Sequence, residues 1–178
     1  LASLALVGCG EAGPSASGGG PFVLPVWSST WDVTVPAWFH GGTLHVGERT
    51  VELGDRVDQF VLGATGVYWM SGQTLMFTSA EGDSEEVEDV GWANLAVSAD
   101  RSVLATVDQS RGPTDEYGTH VLQVVAFNTR TGEQLYRTPD EEPDDGDDLA
   151  DLYGEIMPLL RGVSNERLFY DGATISLG

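Results

Sequence analysis

Along the chain, short apolar runs are broken every few positions by glycine, serine, asparagine or aspartate. "TLHVGERTVEL", Thr43 to Leu53, alternates apolar and polar side chains on both sides of Gly47, the period of two half-buried strands joined by a turn. "QFVLGATGVYWMSGQTLMFTSA", Gln59 to Ala80, predicts strand, turn, strand, Ser-Gly turn, strand. "NLAVSADRSVLATVD" and "THVLQVVAFNTRTGEQLYR" repeat the theme, and "PLLRGVSNERLFYDGATISL" opens it again. From Phe22 onward the pattern is almost wholly β. One short helical turn is allowed from Asp147, with Leu149, Leu152, Tyr153 and Ile156 on one side.

Laid over one another, these segments share a plan. An apolar run reaches a small polar turn, at Gly63 to Gly66, Ser98 to Ser102 and Gly162 to Asn165, and a second run follows, "VYWM", "VLAT" or "LFYD". Gly63 and Ser98 lie 35 residues apart. The next interval is longer but carries two polar insertions, "SRGPTDEYG" and "PDEEPDDGDD". Without them the period approaches the roughly 40–45 residues of a propeller blade, a four-stranded unit that must stack on neighbours to cover its faces. "VSADRSVLAT", Val97 to Thr106, followed by "VVAFNTRTGE", Val124 to Glu133, resembles a WD-repeat blade, with Phe127 and Asn128 at the Trp-Asp positions and Thr131-Gly132 as the turn. Quinoprotein-type propeller repeats are similar over the same residues. No Gly-His pair leads the blade and no true Trp-Asp closes it. The expected fold is therefore all-β: a partial β-propeller of about three to four blades over residues 22–178, with a small β-sandwich as the alternative. A closed ring takes at least about four blades, so the chain is expected to be incomplete.

Length and composition agree with a packed domain: 178 residues, 41% hydrophobic, with 23 glycines and 8 prolines for turns. Charge narrows the partners. A net charge of −20 repels phosphate backbones, which excludes nucleic-acid binding. All eight basic residues are arginine.

The opening "LALVGCGEAG", Leu4 to Gly13, holds the single cysteine and fits G-x-G-x-x-G through Gly8, Gly10 and Gly13. A dinucleotide site needs a helix after those glycines. Here Pro14, Gly18, Gly19, Gly20 and Pro21 follow, so that reading fails. Leu1 to Val7 instead looks like the end of a signal peptide's apolar core, too short to span a bilayer. "LVGC", with Leu6, Val7, Gly8 and Cys9, resembles the lipobox of bacterial lipoproteins. That resemblance implies a diacylglycerol anchor on Cys9, cleavage before it, and an extracytoplasmic location at the cell membrane. Residues 1–8 would be the signal remnant and 9–21 the lipidated cysteine with its tether, whose eleven residues Gly10 to Gly20 reach roughly 20 Å. A single cysteine also forbids an internal disulfide.

The remaining chemistry is sparse. Fifteen of 28 acidic residues lie in Glu81 to Asp89 and Asp140 to Glu155. Asp144, Asp145, Asp147 and Asp148 are the candidates for a Ca²⁺ site, the one cofactor considered. Placing Gly146 at the EF-hand turn puts Pro143 and Leu152 at ligand positions, so that loop is excluded and a solvated loop is preferred. Trp27, Trp31, Trp38, Phe39, Trp69 and Trp92 are expected in the core. His40, His45 and His120 show no metal-ligand spacing and are expected on turns or strand surfaces. No nucleophile elbow or Walker lysine is present. These features imply a lipid-anchored, extracytoplasmic binding or scaffold module for a protein or small-molecule ligand. The alternative is a propeller enzyme, such as a quinone-dependent dehydrogenase, lactonase or glycan-acting hydrolase.

Overall fold

The apolar runs become strands. A computed structural model describes residues 22–31, 35–112, 114, 120–138 and 158–178, among which there are thirteen strands and no helix. β1 (Ala37–His40), β2 (Thr43–Val46) and β3 (Arg49–Glu52) form a first antiparallel sheet. β4 (Gln59–Leu62), β5 (Gly66–Ser71), β6 (Thr74–Ser79) and the start of β7 (Ser84–Val97) form a second. The end of β7 leads β8 (Val103–Asp108), β9 (Gln123–Asn128) and β10 (Gln134–Arg137) in a third. β11 (Leu160–Val163), β12 (Arg167–Tyr170) and β13 (Ala173–Ser176) make the fourth. Each strand pairs with the next through a short turn wherever the sequence predicted one. Gly41 and Gly42, at φ +56° and +86°, close the β1–β2 hairpin in the left-handed conformation that such two-residue turns require.

Alternation along the middle strands explains why their sequences are apolar almost throughout. On β5, Val67 and Trp69 face the first sheet, in a core with Leu44, Val46 and Val51. Tyr68 and Met70 point the other way, into a core shared with Leu104, Val125 and Phe127 of the third sheet. On β8 and β9, Val103, Ala105, Val107, Val124 and Ala126 meet Leu168, Leu160 and Val163 of the fourth sheet. The second and third sheets are thus buried on both faces, and a strand in that position has no polar side to display. Three apolar layers separate four sheets, each fully buried large side chain contributing about 1.5–3 kcal/mol.

The turns repeat in sequence and in hydrogen bonding. "VSADR", Val97 to Arg101, joins β7 to β8, and "VSNER", Val163 to Arg167, joins β11 to β12. In the first, the Ser98 hydroxyl accepts from the amide of Val103 at 3.0 Å; in the second, Ser164 accepts from Arg167 at 2.9 Å. Asp100 accepts from the hydroxyls of Ser98 and Ser102, both at 2.7 Å, and these bonds hold its carboxyl below the usual range. Fully buried Thr129 joins neighbouring sheets. Its hydroxyl donates to the carbonyl of Arg101 and accepts from the amide of Ala64, and its own amide donates to Ser102.

Residues 22–31 run as a strap across this end of the molecule. The amide of Leu24 donates to Gly132, the hydroxyl of Tyr68 donates to Pro25 at 2.8 Å, and the amide of Trp31 donates to Ala64. Leu24 is buried between the second and third sheets and Trp31 between the first and second. Phe22 meets the edge of Phe127 at 5.6 Å, with the guanidinium of Arg111 over its ring. The expected burial of the tryptophans holds for Trp31 and Trp69 and fails for two others. Trp27 is 41% exposed on the strap, outside any sheet, and Trp38 is 53% exposed on the open face of β1.

Candidate functional site

The second, third and fourth sheets come together around β7. β4 packs against β7, and β11 packs as closely against β8 as against β7. Gln59 on β4 spans the gap: its amide donates to the carbonyl of Leu95 at 2.8 Å and accepts from the amide of Leu95 at 3.1 Å. One side-chain amide thereby satisfies both polar groups of a strand edge that would otherwise stand open.

Both neighbours of that contact are bulged. The pairing of β7 with β8 slips between Ala93 and Ala96, and that of β11 with β12 slips between Leu160 and Gly162. Superposing VSADR on VSNER makes the pairs Ala96 with Ala105 and Gly162 with Phe169 equivalent, and places Arg161 level with Leu95, one residue after Asn94. A bulge re-aims a side chain out of the pleat. Here the residues involved are Asn94, at φ +56°, and Arg161, both exposed. Gln59, also exposed, is bonded to Leu95, the neighbour of Asn94. The convergent edge therefore carries two amides, that of Gln59 bonded to Leu95, and the guanidinium of Arg161, groups that exchange no proton near neutral pH.

A second polar set lies inside the third sheet. Asp108, fully buried at the end of β8, pairs with Arg137 of β10 at 2.7 Å across β9. Arg137 also donates to Gln123 at 2.7 Å, and Gln123 donates to the carbonyl of Thr138. Ser110 and the amide of Arg111 donate to the same carboxylate. The set ties three strands together, with Asp108 and Gln123 buried and Arg137 partly exposed. The sequence pattern singles out neither this set nor the bulges. The one signal for the bulges is the polar residue interrupting "ANLAV" and "LLRGV".

The sequence-predicted residues divide as follows. Leu6, Val7, Gly8 and Cys9, and Asp144, Asp145, Asp147 and Asp148, lie outside the described residues, as does the helical turn from Asp147. His40 and His45 occupy the open face of the first sheet, His45 stacked on Trp38 with centroids 3.7 Å apart. His120 contacts the carbonyl of Gly112 at 2.8 Å. Among the described residues, no three His, Cys, Asp or Glu side chains are grouped to hold a metal ion. Asn128 caps the β9–β10 turn by accepting from the amides of Arg130 and Thr131. No helix among the described residues is long and apolar enough to cross a membrane. No protein-family model matches the chain, and no curated protein or solved structure is detectably similar to it.

Proposed function

We propose that this chain belongs to a lipid-anchored, extracytoplasmic β-propeller that binds a ligand or partner at the convergent edge of its sheets. The observation that carries this reading is the packing of β4 on β7 and of β11 on β7 and β8, which brings the second, third and fourth sheets together on one side. Sheets arranged in this way fan out from an axis, as propeller blades do. Burial of the second and third sheets on both faces supports the same reading over a sandwich, whose two sheets each keep one face in water. Binding is favoured over catalysis by the groups on the first strands, since Gln59, Asn94 and Arg161 supply no acid or base for proton transfer near neutral pH. The lipobox resemblance at Leu6 to Cys9 supports the anchor, because two acyl chains bind a bilayer stably where one does not.

The test is to produce the full chain behind a complete export signal in a bacterium and separate membranes from soluble fractions. Wild type is expected in the membrane fraction, accessible to protease from outside, with Cys9→Ser in the soluble fraction. Equal membrane recovery of both proteins would refute the anchor.

A further inference from the structure

We infer that the exposed side of the strap, Val23 and Trp27, seats the molecule on a lipid surface, with the indole of Trp27 at the level of the headgroups. The inference rests on the anchor proposed above and says which end of the molecule faces the membrane. Three observations carry it. First, the apolar side chains of the strap divide into two sets. Leu24 and Trp31 are buried between sheets, whereas Val23 is 57% and Trp27 41% exposed. Five large hydrophobic side chains are exposed among the described residues, and two of them fall within this one segment, residues 22–31. Burial in the core accounts for the first pair and not for the second. Tryptophan, with an apolar body and a polar N–H, is a side chain that settles at a membrane–water boundary.

Second, the strap carries no charge. From Ala12 to Trp31 no residue is ionisable, in a chain with 28 acidic and 8 basic side chains. The net charge of −20 repels anionic headgroups over roughly a Debye length, about 8–10 Å in ordinary salt. An uncharged run is where such a surface approaches a bilayer at least cost. Third, the strap is the described segment nearest in sequence to Cys9. Gly10 to Pro21 separate the two, so Phe22 lies within roughly 45 Å of the anchor even at full extension, and about 20 Å away as a flexible chain. Tethering makes the contact intramolecular, so a small apolar patch suffices.

The strap is also fixed before it meets a bilayer. The amide of Leu24 donates to the carbonyl of Gly132 at 2.9 Å, that of Trp31 to Ala64 at 3.1 Å, and the Tyr68 hydroxyl to Pro25. The backbone that carries Val23 and Trp27 is therefore already ordered, which reduces the cost of binding. The turns that the strap crosses, at Ala64 and Gly132, then face the membrane, and the β5–β6 turn at Gly72, at the far end of β5, faces away.

The experiment couples the thiol of Cys9, the single cysteine of the full chain, to a maleimide-headgroup phospholipid in phosphatidylcholine vesicles. Tryptophan fluorescence is compared between plain vesicles and vesicles whose acyl chains are brominated near the headgroup, since bromine quenches an indole only near contact. Wild type is expected to be quenched by the bromolipid, and Trp27→Phe to lose at least about half of that quenching. Val23→Asp, which sets a charge in the uncharged run, is expected to lower it about twofold. Trp38→Phe, at a more exposed indole on the open face of the first sheet, is expected to leave it unchanged. No quenching in wild type, or quenching that survives Trp27→Phe, would overturn the inference. Loss of quenching in Trp38→Phe would overturn it as well, by putting the bilayer against the first sheet. The lipid is attached chemically, so none of these outcomes depends on lipidation in the cell, and a failure of the anchor is read separately in the fractionation above.

Discussion

At the scale of single residues, the strongest constraints are polar groups enclosed by the sheets. Asp108 has no exposure, so its charge is tolerable only because Arg137, Ser110 and the amide of Arg111 all donate to it. Arg137→Ala removes the cation paired with Asp108 and is expected to destabilise the chain by about 3 kcal/mol, read as a lowered urea midpoint. Arg137→Lys keeps the charge but loses the second bond, to Gln123, and should fall in between. Tyr68 gives a pH signature. Burial, with Glu85 adding to it, pushes its phenol above the ordinary tyrosine range. Its neutral form is the one folded, so this contribution is complete below about pH 10 and is lost as the pH rises above it, at about 1.4 kcal/mol per pH unit. Wild type should lose stability faster than Tyr68→Phe between pH 10 and 11.5, roughly the span over which only the unfolded phenol is ionised. Parallel decline of the two proteins would show that the phenol is not held neutral.

At the scale of elements, the strap is the part that the sequence concealed. Strands were legible because apolar runs, period-two alternation and glycine turns are local signals, and β2 to β6 lie where "TLHVGERTVEL" and "QFVLGATGVYWMSGQTLMFTSA" placed them. Trp27 and Trp31 sit in one aromatic cluster, and only long-range contacts decide that one is buried and the other exposed. The bulges escaped for the same reason, since an extra residue is visible only once its partner strand is known. Gly132 is where strap and sheet meet most closely: a Cβ there would lie 2.1 Å from the carbonyl of Leu24. Gly132→Ala is expected to cost at least about 3 kcal/mol and to open residues 22–31 to proteolysis, since both the left-handed φ and the contact are lost. Gly172 has a similar φ of +77° but nothing within 4 Å, so Gly172→Ala should cost about 1 kcal/mol and leave the strap protected. Equal effects of the two substitutions would mean that the strap is not docked on that turn.

At the scale of the whole molecule, the first and fourth sheets differ from the two between them. Trp38, His40, His45 and Glu52 on the outer side of the first sheet, and Phe169 and Thr174 on that of the fourth, have no described partner layer. Their proposed arrangement about an axis rests on the inner strands of the second, third and fourth sheets, and it is the central claim. It can be read as two distances. In a Cys9→Ser background, one spin-label pair is placed at Gln59 and Arg161, on the first strands of the second and fourth sheets. A second pair is placed at Glu85 and Ser176, on the last described strands of the same two sheets. A fan about an axis requires the first pair to be clearly closer than the second. Equal distances, or a shorter one between Glu85 and Ser176, would contradict the convergence and with it the binding edge.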